Sequence, residues 1–242
     1  MHPRTLARDD CSGGTCPAVY DSDPDLTTDE IAIVGTRAPA GLNGRLASRI
    51  AAHEAAVTIS RELVERALRP APQAVGIEEL QAQFETFSYS AFRLETLQRY
   101  AGTARDESWI THLRAARRWG KTHQRVHVIA DPLTEAMQEE LTDGYEGNVA
   151  AGEDIRILPV AGGFPDREWP DDVPHADYWL FDSTRLYAMR YEPDGTWRGA
   201  DLVTDPERVV YACRARDAAW QRAVPWRDYI SSRPDLRSRL AQ

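Results

Sequence analysis

A chain of 242 residues has room for one large domain or for one domain with an appendage, and 42% apolar residues argue against wholesale disorder. A formal net charge of −9 repels phosphate backbones, which disfavours sequence-independent nucleic-acid binding. No apolar run reaches the roughly 18 residues of a membrane helix, and Met1-His2-Pro3-Arg4 lacks a signal peptide's apolar core, so a cytoplasmic protein is expected.

Residues 1–40 read as a small cysteine-containing hairpin module. Cys11-Ser12-Gly13-Gly14-Thr15-Cys16-Pro17 is turn chemistry, Ala18-Val19-Tyr20 a short strand, and Glu30–Gly35 a second one. Two strands are too few to be stable alone. Residues 41–76 read as a helix and a Pro-rich linker. Asn43 is the expected N-cap of a helix over 43–68, with Leu46, Ile50, Val57, Leu63, Val64 and Leu68 as its apolar stripe. Arg69-Pro70-Ala71-Pro72 ends it.

Residues 77–242 carry the pattern of an α/β domain. A short helix is expected at Glu78–Thr86 and a strand over Ser90–Tyr100. A helix over Asp106–Trp119, a strand at Arg125–Ile129 and a helix over Leu133–Leu141 follow, the last with Asp131 as N-cap and Pro132 in its first turn. Asp154–Leu158 reads as a strand, and Pro159–Pro174 as a long polar loop. Strands Tyr178–Asp182, Arg185–Tyr191 and Trp197–Val203 form a meander, and Asp205-Pro206 opens a helix through Val224 with Val209, Cys213, Trp220 and Val224 inside. The fold class is therefore α/β (α+β): a mixed β-sheet flanked by helices.

Several groups could carry chemistry. Arg93 and Glu95 are two apart, so on a strand both face one side, where they line a pocket or pair with strand neighbours. Glu153, Asp154 and Asp182 are carboxylates at strand ends, suited to capping, or to acid–base or metal chemistry if they converge. Trp169 beside Asp171 and Asp172 would mark a contact if exposed, while Tyr178, Trp179, Trp197, Trp220 and Trp226 read mostly as core. Cys11 and Cys16, with His2 or His53, have an x4 spacing at the edge of zinc knuckles; two thiols in a turn is the favoured reading. With Cys213 the count is odd, which is no disulfide framework. Arg114, Arg117, Arg118 and Lys121 form the best basic patch, read first as a solvated helix face.

Two runs, Asn148–Arg156 and Tyr178-Trp179-Leu180-Phe181-Asp182, resemble a large actinobacterial family of uncharacterised cytoplasmic domains. Ser90–Thr96 and Ala223-Val224-Pro225 with Tyr229 follow the same pattern, so the likeness spans about residues 78–230. Such domains sit beside helix-turn-helix regulators and small partner proteins, and the resemblance implies a regulatory or partner-binding role. The Cys11–Tyr20 run is similar to small stand-alone actinobacterial proteins, which implies a fusion of two products.

The order of elements also resembles half of a phospholipase D-like fold, whose motif is His-x-Lys-x4-Asp. His175 and Asp182 match it, but Asp177 stands at the Lys position. That motif's Lys neutralises phosphate charge while its His attacks phosphorus. A carboxylate about 4 Å from the anion, at an effective dielectric near 20, repels it by about 4 kcal/mol. Phosphoryl chemistry is thereby disfavoured.

The expected function is a non-catalytic regulatory or interaction protein that binds a partner protein or small ligand, with no cofactor. Arg93, Glu95, Trp169, Asp177 and Trp179 are its expected contacts. The alternative is an enzyme acting on a small molecule through Glu153, Asp154 and Asp182, with His175 as a further candidate. The sequence leaves the oligomeric state open.

Overall fold

The computed structural model describes residues 4–8, 17–22, 32–37, 40, 42, 57–98, 107–161, 169–192 and 194–240. The chain divides into two compact units, Met1–Pro70 and Ala71–Gln242, with the break inside the Arg69-Pro70-Ala71-Pro72 stretch.

In the first unit, β1 (Arg4–Arg8), β2 (Ala18–Ser22) and β3 (Ala32–Val34) form an antiparallel sheet in the order β1-β2-β3. The β2–β3 hairpin is the expected one, with Val19 opposite Ile33, whereas β1 is an addition. A further strand, β4 (Thr36–Arg37), pairs with β5 (Val57–Thr58), and α1 spans Arg61–Ala67. This corrects the helix expected over 43–68 at residues 57–60, while residues 43–56 lie outside the described residues. Val57-Thr58-Ile59 is a β-branched run, stiff at χ1 and better suited to extended backbone. Ser60 starts the helix instead, its Oγ accepting from the Leu63 N–H at 3.0 Å. Val19, Leu63 and Ala67 form this unit's small core with Ile59. Cys11, Cys16, His2, His53 and the expected cap Asn43 lie outside the described residues.

The second unit is built on an eight-stranded mixed sheet. Its elements are β6 (Gln73–Val75), α2 (Ile77–Thr86), β7 (Ser90–Glu95), α3 (Glu107–Arg118), β8 (Thr122–Asp131), α4 (Glu135–Glu139), a π-helical turn (Glu140–Gly144), α5 (Tyr145–Ala151) and β9 (Glu153–Ala161). Then come β10 (Tyr178–Phe181), β11 (Arg185–Tyr191), β12 (Trp197–Val203), α6 (Pro206–Arg222), β13 (Val224–Pro225), α7 (Trp226–Ser232) and α8 (Pro234–Leu240). The strand order is β13-β9-β8-β7-β10-β11-β12-β6. β7, β8 and β9 are parallel and linked through helices, and the β10-β11-β12 meander is antiparallel, as expected.

Several boundaries differ from expectation, the first being that β7 ends at Glu95, short of the strand expected over Ser90–Tyr100. The helix after β8 is capped by Thr134, whose Oγ1 accepts from the Met137 N–H at 3.2 Å, while Asp131 ends β8 and pairs with Arg233 at 3.2 Å. That helix does not stop at Leu141 but runs through the π turn into α5. Gly144 and Gly147 resemble a helix stop, but buried Tyr145 between them anchors the segment. Val224 is in β13, 39% exposed, and not inside α6. At the start of α6, Asp205 does cap, accepting from the Glu207 N–H at 3.0 Å, with Pro206 next.

The parallel register assigns each sheet face. Phe92, Leu94, Val126, Val128, Leu158 and Val160 fall on one face with Leu180, packed on Val209, Ala212 and Ala219 of α6. Arg93, Glu95, Arg125, His127 and Glu153 fall on the other, with Trp179 and Phe181. Helices α2, α3 and α5 contact strands of the same sheet, and no described helix is long and apolar enough to cross a membrane.

Candidate ligand cavity

Strand alternation places a run of ionisable groups on the second face. Arg125 stands at its centre, donating from Nη1 to Glu95 at 2.8 Å and from Nε to Glu153 at 2.9 Å. Arg93 pairs with the other Glu95 oxygen at 2.9 Å. Glu153 also accepts from Asn148 Nδ2 at 2.9 Å. The register of Glu153 depends on Gly152, which ends α5 at a φ of 114° and gives its N–H to the Asn148 carbonyl. A Cβ there would lie 2.6 Å from Arg117 Cδ.

Electrostatics follow from burial. Removal from water alone would raise the Glu95 carboxyl, but Arg125 and Arg93 overcome it and hold the group at about 2. His127 is fully buried, and burial lowers its pKa against the pull of Glu95. Its Nε2–H donates to the Leu97 carbonyl at 2.9 Å, and its Nδ1 lies 2.5 Å from the Tyr145 hydroxyl, which also reaches Glu95 at 3.3 Å. His123 is lowered to about 3, first by burial and then by His112, Arg125 and Lys121. Its Nε2 meets that of His112 at 3.2 Å.

Above this floor is a cavity of about 600 Å³, within the usual range for small-molecule sites. Arg93, Glu95, Arg125, Glu140 and Asn148, with Glu85 and His112, contribute to its polar surface, and Phe84, Trp109, Trp179, Tyr191 and Trp197 form its aromatic wall. The rings hold each other in place. Phe84 meets Trp109, Trp179 and Phe181 edge-on, with centroids 5.2, 4.8 and 5.0 Å away. Trp197 donates from Nε1 to the Gly199 carbonyl at 3.0 Å, and the Tyr191 hydroxyl donates to Asp177 at 3.2 Å. Arg93 lies over the Trp179 ring at 5.6 Å.

Residues 102–231 match a domain of unknown function, DUF6879. The chain belongs to that family. The matched segment holds Trp109, Arg125, Glu140, Glu153 and Trp179, while Arg93 and Glu95 precede it. The chain is also similar to a phospholipase D family member, Nuc from Salmonella typhimurium, with 10% identity and a TM-score of 0.42 over 64% of this chain and 97% of that one. No curated protein matches the chain.

In this family domain the residues singled out from sequence separate into distinct places. Arg93, Glu95 and Trp179 come together at the cavity. Glu153, Asp154 and Asp182 do not come together. Glu153 is buried beneath Arg125, and Asp154, its neighbour in the strand, is exposed. Asp182 lies past the end of β10 and accepts from the N–H groups of Ser88, Tyr89 and Ser90 at 2.8, 2.7 and 2.9 Å. Burial would raise its carboxyl slightly, but those N–H groups lower it. Asp177 is buried, and its Oδ1 accepts from both the N–H and the hydroxyl of Thr96 at 2.6 Å. It ties β7 to the start of β10. His175 is exposed, stacked on Trp169 at 4.0 Å. Trp169 is half-buried against the apolar core and bonds the Val173 carbonyl, so the condition under which it would mark a contact is not met in full. Within the loop Pro159–Pro174, residues 162–168 lie outside the described residues. Arg114, Arg117 and Arg118 are exposed, and Lys121 donates to the Phe87 carbonyl.

Sequence reading missed Arg125, His127, Tyr145 and Glu140. Arg125 and His127 alternate with Val126 and Val128, a pattern that resembles a half-exposed strand. Their signal was the strand's central place between two parallel neighbours, which buries both faces.

Proposed function

We propose that the domain is a regulatory binding module that takes a small organic molecule into the cavity beside Arg93, Trp109 and Trp179, without transforming it. The supporting observation is that the carboxylates of the charged floor are already paired. Arg125 serves Glu95 and Glu153, and Arg93 serves Glu95, so these groups are committed as structure. Burial pushes the Tyr191 phenol up, and its proton is shared with Asp177, which makes it a poor nucleophile. The walls are aromatic and pre-positioned, which favours binding at low entropic cost. The resemblance to actinobacterial domains encoded beside helix-turn-helix regulators supports a cytoplasmic, regulatory setting for that binding.

The experiment is a thermal-shift screen of a chemically diverse small-molecule library against the full chain and its Gln81→Trp variant. Gln81 is exposed on α2 at the cavity's edge, so a Trp there obstructs entry without touching the core. Compounds that raise the melting temperature of the full chain but not of Gln81→Trp are expected. A screen without any such compound overturns the reading, and turnover of a bound compound replaces it with an enzyme.

A further inference from the structure

Glu140 is a half-buried carboxylate on the cavity's polar surface that the floor does not use, whereas Glu85 at the same cavity is exposed. Glu140 makes no hydrogen bond or ion pair with a described residue, although it is only half-exposed and faces the cavity. Its position is built. The π turn Glu140–Gly144 interrupts the helix there, and such turns recur at functional sites. A Cβ on Gly144 would lie 3.1 Å from the Glu140 carboxyl carbon, so the glycine leaves the space the carboxyl occupies. Gly144 itself has ordinary helical backbone, with φ at −72°, so its lack of a side chain serves packing and not a turn.

The charges around it decide what it could receive. Arg93 and Arg125 balance Glu95 and Glu153. Burial raises the Glu140 carboxyl, and Glu95 adds to that against Arg125 and Arg93. A hydrogen-bond donor or a positive charge relieves such a group, whereas an anion does not. Trp109, Trp179 and Trp197 line the same cavity, and indole rings favour a planar aromatic partner and attract cations.

Resting on the reading of this cavity as a binding site, we infer that its ligand is a planar heteroaromatic molecule carrying an amidine-like pair of N–H donors, received by the Glu140 carboxylate with the ring against the tryptophan wall. Two parallel N–H groups match the two oxygens of one carboxylate, as guanidinium–carboxylate forks do.

The test is calorimetric titration of the full chain with four probes. 2-Aminobenzimidazole has both ring and donor pair, guanidinium the pair without the ring, naphthalene-2-carboxylate a ring with an anion, and benzamide a neutral ring with an amide. 2-Aminobenzimidazole is expected to bind about tenfold or more tightly than the other three, the scale of one charge-assisted hydrogen bond. Glu140→Gln is expected to remove that preference. Gly144→Ala, which keeps the carboxyl but displaces it, is expected to weaken the same probe severalfold with the melting temperature preserved. Preference for the carboxylate probe, or unchanged affinity in both variants, overturns the inference. If the library screen yields cavity compounds while 2-aminobenzimidazole does not bind, the ligand class falls and the site stands. If neither binds, both fall.

Discussion

The two faces of β7, β8 and β9 are one residue out of phase and differ in their main chemistry, although Ile155 and Ile157 share the charged face and Arg156 the apolar one. One presents Phe92, Leu94, Val126, Val128, Leu158 and Val160 to α6. The other presents Arg93, Glu95, Arg125, His127 and Glu153, buried or nearly so. Hydrophobic burial alone explains the first face. The second resists that explanation, because an ion pair buried in protein is often no more stable than apolar residues of the same volume. A fold that retains such a face beside an aromatic cavity is holding groups in place, and stability is the lesser part of what they provide.

Breaking the charged face should have the largest effect. Arg125→Met leaves Glu95 and Glu153 without their shared counter-ion and is expected to cost about 3–5 kcal/mol at neutral pH. Urea denaturation at pH 7 and pH 4 gives a second signature. In the native chain Glu95 is held at about 2, so its contribution is complete above the unfolded carboxylate value and lost as pH falls toward 2. In the variant the Glu95 pKa rises, so acid should narrow the gap to the native chain. A constant gap would mean that Arg125 acts through packing alone.

On the apolar face the effect should be comparable in size and indifferent to pH. Leu94 is fully buried, and Leu94→Ala is expected to cost about 2–5 kcal/mol at both pH values. An acid-dependent loss there would undo the contrast between the faces.

His123 sharpens the comparison through its sign. Burial lowers it to about 3 from an unfolded value near 6.5. Between those values the unfolded chain binds the proton and the folded one does not, so stability rises with pH across that window. The slope is at most about 1.4 kcal/mol per pH unit for one such proton. His123→Gln should flatten the denaturation midpoint between pH 6.5 and 4.5, whereas an unchanged slope would move its origin to His112.

How much of this was legible in the sequence differs between fold and site. The β-α-β order and the meander were readable because Val126, Val128 and Ile129, and Tyr178 to Phe181, are short apolar runs with turn residues between them. That Arg93 and Glu95 share a face was readable from strand period alone. The centre of the floor was not, since it depends on Arg125 lying between two strands that the sequence does not number. Glu140 was invisible for a different reason: a regular helix was expected through Leu141, and the π turn that begins at Glu140 has no signal in the apolar spacing. The helix expected over 43–68 failed locally, where three consecutive β-branched residues outweighed an apolar stripe at helical spacing.

The smallest expected effect concerns the carboxylate that drew attention first. Asp182 has a backbone φ of 51° and satisfies three N–H groups where the chain enters β7. Asp182→Ala should cost about 1–2 kcal/mol, comparable to the loss of a helix cap, because the freed N–H groups remain near solvent. Calorimetric affinity for any compound held by the cavity should be unchanged, since Asp182 is not among the cavity-lining residues. A variant that keeps its stability but loses ligand would reverse the assignment and return Asp182 to the binding surface. The comparison with Arg125 then becomes a direct one: both residues organise backbone and side chains around a charge, but only the one inside the sheet should alter what the cavity can hold.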